Sequence, residues 1–220
     1  MDFKEMWSGK KGGFADSLKR NLAPQKNIRS KIDNAIKILQ KMTTKLDVSI
    51  RSLKEKDRIY FAKVVESIKN HDRTMATLYA NELVEIRKAL KVLKQSRYAI
   101  QSVAVRLKTV QSISDAAAEI LPAMQVLRNV KSMVSYILPI TEDGINEVAN
   151  LLQDIMWEAT QTGEAGFDFA AANDEAIKIL NEAERLARED MKRELPGIPE
   201  SLSESREKAG ESEDFTEFRF

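Results

Sequence analysis

Residues 25–121, QKNIRSKIDNAIKILQKMTTKLDVSIRSLKEKDRIYFAKVVESIKNHDRTMATLYANELVEIRKALKVLKQSRYAIQSVAVRLKTVQSISDAAAEIL, contain neither Gly nor Pro, in a chain that has eight Gly and five Pro. A run that long without a breaker predicts helix throughout. One weak point lies near its middle, at Lys69-Asn70-His71-Asp72, where Asp72 is a good N-cap for a following helix. The stretch therefore predicts two long helices folded into an antiparallel hairpin, over about residues 25–119. Each arm of roughly 45 residues would be about 65–70 Å long.

The first arm carries Ile32, Leu39, Leu46 and Leu53 at intervals of seven. Ile28, Ala35, Met42 and Ser49 form the companion row, and Ile36 and Ile50 widen the stripe. This heptad seam needs a partner helix. The second arm repeats the pattern with Leu83, Ile86, Leu90, Leu93, Ile100, Ala104 and Leu107, led in by Tyr79. Two arms alone are too thin to bury both stripes, so further helices or neighbouring copies must cover them.

The rest of the chain reads as attachments. Pro24 is placed to start the first long helix, and Pro122 marks a boundary after the second. An apolar helix is expected over Ala123–Leu138, ended by Pro139. Another, capped by Thr141, has Ile145, Val148, Leu151, Leu152, Ile155 and Met156 on one face, with Gly144 as an unusual weak spot in its first turn. Gly163 and Gly166 open a hinge-like linker. Beyond it an acidic helix is expected near Asn173–Arg193, with Ile177, Leu180, Ala183, Leu186, Ala187 and Met191 on its apolar side. The fold class is all-α. The expected divisions are residues 1–24, a helical core over 25–162 with its short helices over about 122–162, a linker and acidic helix over 163–194, a short motif over 195–202, and a disordered tail over 203–220.

Charge is distributed unevenly. Residues 1–140 hold 27 Lys/Arg against 13 Asp/Glu, whereas residues 141–220 hold 8 against 21. The formal net charge of +1 hides this split. A basic half that meets something anionic, and an acidic half that competes for it, would produce this pattern. Two solvated faces of opposite sign would also produce it. The basic face of the first arm includes Lys37, Lys41, Lys45, Arg51 and Lys54. Nucleic acid is the weaker candidate for it, because no aromatics or base-reading clusters accompany the charge.

Both ends carry short motifs. Phe3, Met6 and Trp7 form an apolar cluster, followed by Lys10, Lys11, Phe14, Lys19 and Arg20. Bulky apolar side chains flanked by cations suit an interfacial segment on anionic lipid. The other reading is a terminus that packs on the protein's own core. Near the other end, Leu195-Pro196-Gly197-Ile198-Pro199 cannot be helical. It reads either as an extended segment that docks in a groove between helices, or as a helix stop followed by tail.

No cofactor and no enzymatic activity are expected. There is no Cys, and His71 is the single His, which argues against a metal site or a nucleophile with its base. No phosphate loop is present. No apolar run approaches the roughly 20 residues of a membrane span. With no secretory leader in view, the expected location is cytoplasmic, and the interfacial reading of Phe3, Met6 and Trp7 would make it peripheral on the inner face of the membrane.

The order of these parts resembles the ESCRT-III proteins, and most of all their archaeal cell-division members, the CdvB family. A long basic hairpin, two short helices, a linker, an acidic helix and a late LPxxP segment carry the resemblance over about residues 1–200. The resemblance implies a membrane-remodelling polymer that assembles with itself and with paralogues at the division site, and a closed monomer in which the acidic helix folds back on the hairpin. It implies that Leu195, Pro196, Ile198 and Pro199, with Leu202, bind the MIT domain of a CdvC-like AAA ATPase. It also maps the family's membrane-inserting segment onto Phe3, Met6, Trp7 and the neighbouring lysines. About 20 residues follow LPGIP, where some archaeal members have a winged-helix-like domain, so the expectation is a shorter paralogue. The alternative is a non-membrane coiled-coil adaptor that binds an acidic protein or nucleic acid through its basic helix.

Overall fold

The computed structural model describes residues 13–110, 113–161 and 168–197. All secondary structure in them is helical: α1 (Gly13–Lys69), α2 (Arg73–Thr109), α3 (Ile113–Val134), a 3-10 turn (Pro139–Thr141), α4 (Glu142–Gln161) and α5 (Phe169–Glu194). The chain divides into two compact units. The first takes its described residues from Met1–Lys45 and Ser96–Ala183, and the second from Leu46–Gln95 and Glu184–Phe220.

The second unit contains the tip of the hairpin. The turn falls at Asn70–Asp72, as the sequence predicts. The Asp72 N–H donates to the Ser67 carbonyl (2.9 Å) and the His71 N–H to the Ile68 carbonyl (3.0 Å), which is the crossed pair of bonds that ends a helix in a Schellman motif. That motif needs a left-handed residue, usually Gly, and here His71 takes it with φ 59. Asp72 then begins the next helix: its Oδ1 accepts the Met75 N–H at 3.0 Å. The two helices of the hairpin run antiparallel through a buried ion pair. Arg87 Nε donates to Asp57 Oδ1 (2.6 Å) and Arg87 Nη2 to Asp57 Oδ2 (3.4 Å). Nearer the turn, Tyr60 and Tyr79 meet edge to face at 6.1 Å, with the Lys63 ammonium 5.1 Å from each ring. Leu46, Ile50, Val64, Leu83, Leu90 and Leu93 fill the apolar seam.

The first unit is a multi-helix core. The heptad rows of α1 point into it: Ile28, Ile32, Ala35, Leu39 and Met42 are buried, as are Ala99, Ile100, Val103 and Leu107 of α2. The shorter helices supply the cover that a bare hairpin would lack. α4 lies antiparallel to α1, with Lys31 bonded to Glu158 near one end and Gly144 against Met42 near the other. A Cβ on Gly144 would sit 3.0 Å from Met42 Sδ and 3.6 Å from Ile38 Cγ2. Close approach of α4 to α1 therefore explains the glycine that weakens the first turn of α4.

Five expected boundaries are corrected. α1 starts at Gly13 rather than after Pro24. α2 ends at Thr109, before the expected residue 119. The Thr109 hydroxyl donates back to the Arg106 carbonyl (2.7 Å), a local bond that competes with helix continuation. α3 runs through Pro122, where a boundary was expected, and stops at Val134, short of Leu138. A Pro inside a helix costs about 3 kcal/mol, but Pro122 is buried within the apolar face formed by Ile120, Leu121, Ala123, Val126 and Leu127, and that burial offsets the cost. Finally, Thr141 closes the 3-10 turn instead of capping α4. Its hydroxyl donates to the Leu138 carbonyl at 2.8 Å.

Candidate functional site

The acidic helix α5 begins at Phe169, with Asp168 as its cap: Asp168 Oδ1 accepts the Ala171 N–H at 2.9 Å. Its buried face differs from the one read in the sequence. Ala172, Ala176, Ile179, Ala183, Ala187 and Asp190 point inward, whereas Ile177 is exposed and Leu180, Leu186 and Met191 are half-buried. A row of small side chains permits close approach but buries little area, since each methyl contributes only about 0.8 kcal/mol. What distinguishes the contact is charge.

In the first unit, Arg106 of α2 is held between Glu119 of α3 (3.3 Å) and Glu175 of α5. In the second unit, Lys91 of α2 donates to Glu184 Oε1 at 2.9 Å. Lys94, only 2% exposed, reaches Asp190 Oδ2 (3.5 Å) and Glu194. Glu194 also takes Lys54 of α1 at 2.8 Å. An ammonium as buried as Lys94 is stable only with carboxylates in place, because an unpaired charge there costs several kcal/mol. The basic helices and the acidic helix therefore meet through matched pairs in each unit.

These pairs shift the carboxylates. Glu175 is held below the usual range by the hydrogen bond from Lys178 and by Arg106. Glu184 is lowered by Lys91 first and Arg188 second. Burial pushes Glu194 up, but the bonds from Lys54 and Lys94 outweigh it and the net shift is downward. Lys178 and Arg188 belong to α5 itself, so only the parts due to Arg106, Lys91, Lys54 and Lys94 arise on docking. A carboxylate whose pKa falls on docking stabilises the docked state above its ordinary pKa, about 4.3, and that contribution is lost as pH falls through the lowered value. α5 is therefore expected to stay docked at neutral pH and to loosen below about pH 4. Hydrogen exchange of residues 169–194 as a function of pH measures this. Protection independent of pH across that window would contradict it.

The remaining sequence-derived sites are placed unevenly. Lys37, Lys41 and Lys45 are exposed on α1 in the first unit. In the second, Arg51 is exposed with its Nε toward the Asp47 carbonyl (3.4 Å), and Lys54 is already engaged by Glu194. Phe3, Met6, Trp7, Lys10 and Lys11 lie outside the described residues. Phe14, Lys19 and Arg20 fall on the first turns of α1, and their side chains lie outside the description too. Leu195 is half-buried, its N–H bonded to the Met191 carbonyl (3.0 Å), while Pro196 and Gly197 are exposed and non-helical. Ile198, Pro199 and Leu202 lie beyond the described part.

Sequence reading missed the cations of α2. One signal was available for Lys94: it follows Leu93 and lies four residues after Leu90, on the stripe that faces inward, where a cation must find a carboxylate. Among the described residues no group of three or more His, Asp or Glu side chains is placed to hold a metal ion. No described helix is long and apolar enough to cross a membrane.

Comparison with known proteins adds two relatives from Sulfolobus acidocaldarius. The chain is 34% identical over 204 residues to "Cell division protein B1", covering 90% of each. It is 31% identical over 166 residues to "Cell division protein B", covering 76% of this chain and 64% of that protein. No family model matches the chain, and no solved structure matches it.

Proposed function

The chain belongs to the family of the archaeal cell division proteins B and B1, the CdvB branch of ESCRT-III, and from that premise we propose that it is a polymer-forming subunit that remodels membrane during cell division. The observation that carries the reading is the ion-paired docking of acidic α5 on the basic helices. These contacts support a closed state, since Arg106, Lys91, Lys94 and Lys54 are each engaged by one of the chain's own carboxylates. Opening exposes these cations for assembly with further copies and with paralogues. Phe3, Met6 and Trp7, with the lysines beside them, anchor the opened subunit on the anionic inner face of the membrane at the division site. Leu195, Pro196, Ile198, Pro199 and Leu202 form the handle by which the MIT domain of a CdvC-like AAA ATPase extracts it. Glu194 is both the last residue of α5 and the neighbour of Leu195, so a pull on the handle acts first on the Lys94 pair. The protein has no catalytic role and no cofactor in this scheme. It supplies the scaffold and its partner the energy.

Flotation with vesicles tests the anchor. Binding is expected to require anionic lipid, to weaken with salt as surface charge is screened, and to fall about tenfold or more in the Phe3→Ala/Trp7→Ala variant, since each aromatic contributes on the order of 1–3 kcal/mol when buried. Equal flotation of the variant, or equal binding to neutral vesicles, would refute it.

A further inference from the structure

The outward face of α4 is without a use in the scheme above. α4 has five acidic residues and no Lys or Arg. Asp143, Glu147, Asn150, Asp154, Trp157 and Gln161 recur at i, i+4, i+7, i+11, i+14 and i+18, which on a helix of 3.6 residues per turn is a single stripe, and all six are exposed. Among the described residues, the side chains of Asp143, Glu147 and Asp154 make no hydrogen bond or ion pair. Trp157 is 67% exposed, because the core side of the helix is filled by Ile145, Val148, Leu152 and Ile155. A Trp ringed by carboxylates and amides on an open face has the composition of an interface hot spot with its polar rim.

Anionic lipid cannot cover this face, because the stripe carries the same sign. Its occupant must be cationic. The same unit presents such a surface: Lys37, Lys41 and Lys45 on α1, exposed and likewise without an ion pair among the described residues. They span about 12 Å along the helix, against about 16 Å from Asp143 to Asp154. α1 and α4 already use this pairing once inside the copy, through Lys31 and Glu158.

We propose that the α4 stripe of one copy docks on the Lys37–Lys41–Lys45 ridge of a second copy. The contact joins two different surfaces, and each copy owns both. It is heterologous, and repeated without closure it propagates an open filament instead of closing a dimer. The carboxylates steer and set the register, while Trp157 supplies the desolvated centre. The inference rests on the filament reading and names the surfaces that reading left open.

Charge reversal on the full chain tests it, with vesicles of phosphatidylserine and phosphatidylcholine and the pelleted filaments checked by negative stain. Lys37→Glu/Lys41→Glu/Lys45→Glu places acid against acid. Asp143→Lys/Glu147→Lys/Asp154→Lys places base against base. Each triple variant is expected to raise the assembly threshold at least tenfold with unchanged helicity. An equimolar mixture of the two, and the six-fold variant that carries both sets, are expected to assemble as wild type. Trp157→Ser is expected to raise the threshold about tenfold in either background. If the six-fold variant stays as defective as the triples while wild type assembles, the pairing is wrong and the filament reading stands. If the ridge variant loses flotation and the six-fold variant does not regain it, the ridge meets lipid and the proposal falls. If wild type itself forms no filaments, both readings fail together.

Discussion

Arg87→Ala is expected to destabilise the protein by about 3–5 kcal/mol, the range for breaking a buried ion pair by removing one partner. Asp57 is only 2% exposed, and both of its oxygens accept from the same guanidinium. Without Arg87 its carboxylate is left between α1 and α2 with neither water nor cation. The neighbouring Tyr60, Tyr79 and Lys63 cannot replace the bond, since Lys63 sits over their rings nearer the turn. Removing both charges is a different perturbation. Asp57→Leu with Arg87→Met leaves no orphan and is expected to lie within about 1 kcal/mol of wild type, because apolar replacements of a buried pair are often neutral or stabilising. Urea unfolding of the single and double variants separates the two cases. A loss below about 1 kcal/mol in Arg87→Ala would show that Asp57 is not held as described.

Lys94→Glu is expected to release the end of α5 while leaving the hairpin folded. The substitution puts a third carboxylate against Asp190 and Glu194, in a place that admits almost no water. Losing the buried cation alone is worth on the order of 3 kcal/mol, which corresponds to about a hundredfold fall in amide protection over Glu184–Glu194. The apolar face offers little to resist this, since it is largely alanine. Lys94→Arg keeps the charge and is expected to retain most of the protection. Hydrogen exchange reads both variants, and unchanged protection in Lys94→Glu would remove Lys94 as the latch.

These two residues also show where the sequence was legible. Helix content, the turn at Asn70–Asp72 and the inward rows of α1 followed from heptad spacing and one capping Asp, all of them local signals. The acidic character of α5 followed from the split of charge between the two parts of the chain, whereas its folding back on the hairpin was implied by the resemblance alone. Individual pairs followed from neither, because a lysine at position 94 and a glutamate at 194 are a hundred residues apart and nothing local links them. The same limit explains the errors at Pro122 and along α5. Propensity alone stops a helix at Pro122, whereas burial of the surrounding apolar side chains carries it through. Size alone favours Ile177 for the interior, whereas close packing selects the alanine row and leaves Ile177 in solvent. Gly144 weakens its helix by local propensity, and the approach of Met42, about a hundred residues away in sequence, accounts for it.

The central claim is that α5 restrains a chain otherwise competent to assemble. Sedimentation of the variant lacking residues 164–220, at low salt and followed by negative stain, tests it most directly. The shortened protein is expected to pellet as ordered filaments under conditions where the full chain stays in the supernatant, and added salt is expected to reverse the effect as the charged faces and their partners are screened. Sedimentation identical to the full chain would contradict it.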